Sequence, residues 1–146
     1  MRHGKKRAAA LVDRVRVPIR FSETDAMGVV WHGNYVKFFE DGRESFGRNY
    51  GLEYLRVYSL GYTIPIVDLH CSYKKSLTFG QEIIVETRYI PCEAAKIEFD
   101  YIVYEAESME VMASGSTVQV FLNDKQELEL NNPAFYEEWK KKWNID

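Results

Sequence analysis

The chain has 146 residues, enough for one domain with its own hydrophobic core. Its formal charge of −3 is uneven, because residues 1–7 hold four cations and no acid, which leaves the rest at −7. An acidic body is a poor match for DNA or RNA, and no segment has the roughly 18 apolar residues of a membrane span. The apolar run AAALV near the start is too short for a secretory leader, and two cysteines are too few for a disulfide framework. We therefore expect a cytoplasmic protein.

The first part of the chain predicts a tail, a strand, a loop and a long helix. We expect residues 1–12 to form a flexible basic tail and residues 13–146 to form a single domain. Alternating apolar and polar residues predict a strand over Val15–Phe21, and a polar loop follows over Ser22–Gly33. A long helix is predicted over Asn34–Tyr50, with Asn34 as its N-cap. Its apolar stripe has helical spacing and consists of Tyr35, Phe38, Phe39, Gly42 and Phe46.

Beyond a short second helix, predicted over Leu52–Leu60, the apolar period changes to two. This period predicts four further strands, over Ile64–Leu77, Gln81–Pro91, Ala95–Ala106 and Val111–Leu122. The links between these strands are short, so we expect consecutive strands to form antiparallel hairpins. A last helix is predicted over Pro133–Trp143, capped by Asn132. The order predicts an α+β fold, in which a five-stranded antiparallel β-sheet wraps around one long central helix.

The segment Phe21–Tyr35 is the most informative for chemistry, because it runs from a strand through a polar loop to a helix start. That loop supplies Asp25 and His32, a carboxylate and an imidazole suited to hydrolysis. The first turn of the helix offers backbone N–H groups that can stabilise an oxyanion. Asp25 could instead stabilise a turn through its own backbone. His32 could equally be a structural histidine.

The segment FSETDAMGVVWHGNYVKFFEDGRESF resembles the signature of the 4-hydroxybenzoyl-CoA thioesterase family of hot-dog proteins. It is most similar to the bacterial acyl-CoA thioesterase subgroup associated with the Tol-Pal system. The similarity continues through GYTIPIV and YKKSLTFG and covers about Val15–Leu122. It implies a hot-dog fold and hydrolysis of an acyl-CoA thioester. It also implies a homodimer or homotetramer with active sites at the subunit interface.

The resemblance implies roles for individual residues. Asp25 would be the catalytic carboxylate, as nucleophile or general base, and His32 an accessory group in the active site. A backbone N–H near Tyr62–Ile64, or at the helix start, would polarise the thioester carbonyl. The expected substrate-binding residues are Trp31, Asn34, Tyr35, Thr63 and Pro65. Weaker candidates for binding the CoA phosphates are Lys74, Lys75, Arg88 and Lys96.

Two positions depart from the family pattern. Phe21 stands where the closer subgroup usually has Tyr, so a hydroxyl is missing there. The stretch at 93–96 has one cation, where the aromatic acyl-CoA enzyme has a basic cluster. We expect no cofactor and no metal, since no glycine-rich nucleotide motif or metal-ligand spacing is present.

Three alternatives remain open at this stage. The chain could be a hot-dog dehydratase or hydratase, with Glu40 as the partner of His32. It could be a thioesterase that takes its acyl group from acyl carrier protein. It could also be a non-catalytic module that binds acyl-CoA.

Overall fold

The computed structural model describes residues 9–145. Its sheet has the order β1-β3-β4-β5-β2, and all neighbouring strands are antiparallel. The strands are β1 (Leu11–Pro18), β2 (Ile66–Tyr73), β3 (Glu82–Ile90), β4 (Lys96–Glu105) and β5 (Val111–Val120). The helices are α1 (Asn34–Tyr50), α2 (Tyr54–Ser59) and α3 (Ala134–Lys142). This confirms the predicted α+β fold with five antiparallel strands and one long helix.

The first strand begins earlier than predicted. β1 pairs with β3 from Leu11, opposite Tyr89, to Pro18, opposite Glu82. Residues 11 and 12, assigned to the tail by the sequence, therefore belong to the sheet. Residues 1–8 of the predicted tail lie outside the described residues. Pro18 ends the strand, where a missing N–H removes no interior hydrogen bond of the ladder.

The predicted hairpin between the second and third strands is wrong. β2 ends at Tyr73, and the backbone N–H groups of Lys74 and Lys75 both donate to the carbonyl of Met112, at 3.0 and 3.1 Å. Residues 74–81 then form a connection whose Leu77 is fully buried in the core. This connection carries the chain from one edge of the sheet toward the other. As a result, β2 pairs with β5 instead of β3.

The aromatic stripe of α1 fills the core beneath the sheet. Phe38, Phe39 and Phe46 are completely buried, and the Phe39 ring stacks on that of Tyr101 with 4.5 Å between centroids. Gly42 lets the helix approach the sheet closely, because a Cβ there would lie 2.4 Å from Oγ1 of Thr87. Full burial of each large apolar side chain contributes about 1.5–3 kcal/mol. The stripe therefore fixes the position of α1, and with it the position of the loop that precedes the helix.

The helix α3 packs against the far end of α1. The indole N–H groups of Trp139 and Trp143 both donate to the carbonyl of Tyr50, the last residue of α1, at 2.7 and 2.9 Å. They satisfy a carbonyl that the helix itself leaves without a partner. Asn132 does not cap α3 as predicted, because its amide donates to Glu137 instead. No helix in the described part of the chain is long and apolar enough to span a membrane.

Candidate active site

Glu23 organises the loop that precedes α1. Its side chain is 1% exposed, and its Oε1 accepts the backbone N–H of Arg20 at 2.7 Å. Its backbone carbonyl accepts the N–H of Trp31 at 3.0 Å and the side-chain amide of Asn34 at 2.8 Å. Glu23 therefore ties the beginning of the loop to its end. Asn34, predicted as the N-cap, is the first helical residue and makes this contact, while Gly33 occupies the N-cap position.

Asp25 lies on a tight turn within this loop. Its backbone N–H donates to the carbonyl of Val29 at 2.8 Å, and its carbonyl accepts the N–H of Gly28 at 3.0 Å. Gly28 has a φ of 80°, which L side chains rarely adopt. The Asp25 Oδ1 atom accepts the backbone N–H of Met27 at 2.9 Å and, more weakly, that of Val29 at 3.4 Å. The carboxylate is thus held beside donors of its own turn, and it is exposed in the single chain.

The Asp25 turn is joined to the connection that follows β2. Isolated bridges pair Thr24 with Val30 and Val29 with Thr78. The N–H of Val30 also donates to the carbonyl of Leu77 at 2.7 Å. These bonds attach the turn to the buried part of residues 74–81. The turn therefore has a fixed place relative to the core.

Exposed apolar side chains surround the same turn. Phe21 and Met27 are 74% and 82% exposed, and Phe79 is 58% exposed. The rings of Phe21 and Phe79 meet edge to face, with 5.5 Å between centroids. Phe21, the residue that replaces the usual Tyr, therefore contributes an apolar contact and no hydroxyl at this place.

His32 is held by a residue that the sequence reasoning missed. The Tyr73 hydroxyl, from the last residue of β2, donates to the backbone carbonyl of His32 at 2.9 Å. The Tyr73 ring meets the rings of His32 and Tyr35 edge to face, at 6.3 and 5.0 Å. Tyr35 is 2% exposed and belongs to the core, whereas Trp31 is 52% exposed and lies against the His32 ring. Burial raises the pKa of both Tyr35 and Tyr73, so their hydroxyls stay protonated at neutral pH.

A separate cleft of about 580 Å³ lies beside the middle and C-terminal part of α1. We call it the helix cleft, and its apolar lining includes Phe46, Leu52, Ile64, Ile66, Ile97 and Phe99. None of the predicted site residues lines the helix cleft. Thr63 and Pro65 alternate with the lining residues Ile64 and Ile66, and neighbours in an extended segment point to opposite sides. The helix cleft is therefore lined by Ile64 and Ile66 of this segment and not by Thr63 or Pro65.

The backbone donors expected near Tyr62–Ile64 are partly engaged. The N–H of Tyr62 donates to Val57 at 3.3 Å, and that of Thr63 donates to Leu122 at 3.0 Å. These two groups are not available to polarise a carbonyl. At the start of α1 the N–H groups of Asn34 and Tyr35 also donate to backbone carbonyls, those of Trp31 and His32, at 2.9 and 3.3 Å. No side chain caps this helix start, so it still offers the partial positive charge of the helix dipole.

The four candidate CoA-phosphate residues do not form one cluster. Arg88 and Lys96 point to the sheet face away from α1, since their neighbours Thr87 and Ile97 face the core. The cations of this set that form ion pairs with described residues are Lys75 with Glu110 at 2.5 Å, Arg88 with Glu86 at 2.5 Å, and Lys96 with Glu98 at 3.3 Å. Lys74 is exposed and directly follows Tyr73. Among residues 9–145, no group of three His, Cys, Asp or Glu residues is placed to hold a metal ion.

The fold is shared with proteins that are named as thioesterases. The family model of the thioesterase-like superfamily matches residues 19–142. A putative acyl-CoA thioesterase of Bacillus subtilis is 32% identical over 110 residues, which cover 75% of this chain and 80% of that protein. A chloroplastic acyl-acyl carrier protein thioesterase of Arabidopsis thaliana is 26% identical over 111 residues, covering 76% of this chain and 58% of that protein. A solved DHNA-CoA thioesterase from Staphylococcus aureus matches with a TM-score of 0.82 and 26% identity over 91% of each chain.

Proposed function

We propose that this chain, which belongs to the thioesterase-like superfamily and is a thioester hydrolase of the hot-dog fold, cleaves acyl-CoA to a free acid and CoA with Asp25 as its key carboxylate. The observation that carries this proposal is the fixed turn that holds Asp25 in the loop that precedes α1. The Thr24-Asp25 pair also matches the catalytic position of the family motif. On the residues of this motif we place the chain in the 4-hydroxybenzoyl-CoA thioesterase family, closest to the Tol-Pal-associated subgroup.

The turn leaves one carboxylate oxygen of Asp25 available for chemistry. Oδ1 is held by backbone N–H groups, so the side chain has a defined orientation. Oδ2 accepts no hydrogen bond from another described residue, and we assign to it the role of attacking the thioester carbon or of activating water. Either addition gives an oxyanion, which collapses and expels the thiolate. When Asp25 activates water, the water becomes part of the free acid, and the proton that it gives to Asp25 passes on to the thiolate. When Asp25 attacks directly, the product is an acyl anhydride of Asp25; a water molecule hydrolyses it to the free acid and the carboxylate, and the proton released goes to the thiolate. The partial positive charge at the start of α1 would stabilise the oxyanion.

We assign accessory roles to two residues near the start of α1. His32 would contact the substrate as a polar group, and Tyr73 would position the His32 backbone through the hydroxyl bond described above. Lys74, next in sequence, is our first candidate for an exposed contact with the CoA phosphates. The other cations have carboxylate partners, and Arg88 and Lys96 face away from α1.

We propose that the active enzyme is a homodimer or homotetramer, with its sites at the subunit interface. Asp25 is exposed in the single chain, and a second subunit would enclose it. The edge strand β2 supports this proposal, because among the strands of residues 9–145 it pairs with β5 alone, and it carries the exposed apolar residues Val67 and Leu69. Such an unprotected edge is a template for pairing with another chain. A two-fold arrangement would give two equivalent sites.

The release of free thiol from acyl-CoA tests this function directly. Purified protein is mixed with a panel of acyl-CoA substrates, from short aliphatic to aromatic, in the presence of a thiol reagent. We expect catalytic turnover with at least one of them. Binding of acyl-CoA without thiol release from any substrate would contradict the proposal and favour a binding module.

Two enzymatic alternatives have their own observations. The Arabidopsis relative is named for an acyl carrier protein, so the same assay is run with acyl-acyl carrier protein as the substrate. A dehydratase needs His32 and Glu40 together, but Glu40 lines the helix cleft and His32 does not. We expect no hydration or dehydration of an enoyl or 3-hydroxyacyl thioester.

A further inference from the structure

The helix cleft has the size and lining of a site for an apolar group. Its volume of about 580 Å³ lies within the usual range of small-molecule pockets. Its walls come from α1, α2 and the core-facing side of β4 and β5, and its lining is mainly aliphatic and aromatic. The side-chain amide of Gln119, which is 6% exposed, donates to the carbonyl of Ile64 at 2.8 Å and is thus already engaged. An acyl group is chemically suited to this lining.

The rim of the helix cleft argues against the CoA phosphates as its occupant. Three exposed carboxylates line it, those of Glu40, Glu44 and Glu53, with Arg48 as an exposed cation. A polyphosphate group would be repelled by this arrangement. The charge of the rim therefore points to the acyl end of a thioester substrate.

Arg43 differs from the other charged residues that line the helix cleft, Glu40, Glu44, Arg48 and Glu53, because those four are exposed. It is half-buried, and its Nη1 donates to the Tyr101 hydroxyl at 3.2 Å. Tyr101 is 1% exposed and lies 2.6 Å from the Oγ1 of Thr117, to which it can donate in turn. Burial raises the pKa of Tyr101, which keeps the phenol protonated for this donation. Arg43 forms no ion pair with any other residue of the described range 9–145.

Arg43 lines the helix cleft, and the bond to Tyr101 is the one hydrogen bond that its guanidinium donates to a residue of the described part of the chain. A guanidinium carries five N–H donors, and one of them is directed at the phenol. An occupant made only of hydrocarbon would remove water from the other donors and offer no acceptor, which is costly for a charged group. An occupant with an oxygen atom at this place would satisfy them.

We propose that the helix cleft receives the acyl group of the substrate and that Arg43 selects acyl groups bearing an oxygen substituent, such as a hydroxyl or oxo group. This inference rests on the proposed thioesterase function. Arg43 lies nine residues beyond Asn34, which is about 14 Å along the helix axis. Its side chain leans back toward the N-terminus of the helix. The recognised oxygen therefore sits on the distal part of the acyl group, away from the thioester carbonyl.

Matched substrate pairs test this selection. The pairs are ω-hydroxydecanoyl-CoA against decanoyl-CoA, and hydroxynaphthoyl-CoA against naphthoyl-CoA. We expect the wild-type kcat/KM to favour the hydroxylated member of at least one pair by at least ~10-fold, the scale of a lost charge-assisted hydrogen bond. In Arg43→Met this ratio falls to within about two-fold. The control Arg56→Met, an exposed cation of α2 outside the helix cleft, keeps the wild-type ratio.

Two outcomes would overturn the proposal: no preference in either pair, or a preference that survives Arg43→Met in a folded protein. Tyr101→Phe keeps the ring but removes the acceptor for Arg43, so it should weaken the same preference. Affinities of the Asp25→Asn protein for the four compounds, measured by calorimetry, make the test independent of turnover. Absence of thiol release together with tighter binding of the hydroxylated members would reject the hydrolase role and support the role of Arg43.

Discussion

The buried carboxylate of Glu23 offers the sharpest prediction about how the catalytic loop is built. Replacing Glu23 with Ala removes the acceptor that lies 2.7 Å from the backbone N–H of Arg20. A hydrogen bond to a charged, buried group contributes about 1.5–3 kcal/mol. The ion pairs of Glu23 with Arg20 and Lys37 add little, because both cationic side chains are more than half exposed. We therefore expect a loss of about 2–3 kcal/mol in the free energy of unfolding.

For a domain of this size, that loss corresponds to a decrease in Tm of about 5–10 °C. The assay is thermal and guanidinium unfolding of the purified protein, followed by circular dichroism. The matched control is Glu82→Ala, since Glu82 pairs with Arg16 at 2.5 Å and both side chains are about half exposed. The control should change the free energy of unfolding by less than about 0.5 kcal/mol. Equal free energies of unfolding for the two variants would contradict the stabilisation of the loop by the Glu23 hydrogen bond.

Two further predictions concern the site and its stability. Tyr73→Phe removes the hydrogen bond to the His32 carbonyl, so kcat should fall about 3- to 10-fold with little change in Tm. The control is Tyr58→Phe, at an exposed position of α2. Equal kcat values for the two variants would exclude a positioning role for Tyr73. Burial alone would raise the pKa of Glu86, but hydrogen bonds from two arginines outweigh it and hold that pKa below its usual range. In this pH range the unfolded protein therefore binds more protons than the folded protein. The stabilisation by the Glu86 carboxylate is present above about pH 4.5 and is lost as the pH falls through the lower folded pKa. In urea titrations between neutral pH and pH 3, Glu86→Gln should lose less stability than the wild type, and parallel profiles would contradict this.

The long helix was predictable because its signal is local and repeated. The aromatic stripe from Tyr35 to Phe46 has helical period, and Gly51 follows it with a φ of 88° as a helix stop. The strands of the last hairpins were also predictable, since alternation and short links determine antiparallel neighbours. The partner of β2 was not predictable, because strand order depends on contacts between distant parts of the chain. β2 also ends at Tyr73, before the predicted end at Leu77, and no local pattern marks that end.

The candidate site was predictable in part for the same reason. Asp25 was found from a motif, but the motif does not say that its turn donates to the carboxylate from its own backbone. The helix cleft joins segments that are far apart in sequence, so Arg43 and Tyr101, 58 residues apart, could not be connected beforehand. The role of Glu23 was easier to predict from the sequence, because Glu23 lies three residues after Arg20 and this spacing is a local capping pattern.

The rate of thiol release by Asp25→Asn tests the account most directly. Asn keeps an Oδ1 acceptor for the turn, so the fold and the Tm should be preserved while the negative charge is lost. With the best acyl-CoA substrate of the wild type, we predict that the kcat of Asp25→Asn is lower by at least ~100-fold. The control is Asp124→Asn, at an exposed position in a distant turn, which should retain wild-type turnover. A folded Asp25→Asn protein that hydrolyses this substrate at nearly the wild-type rate would contradict the assignment of Asp25.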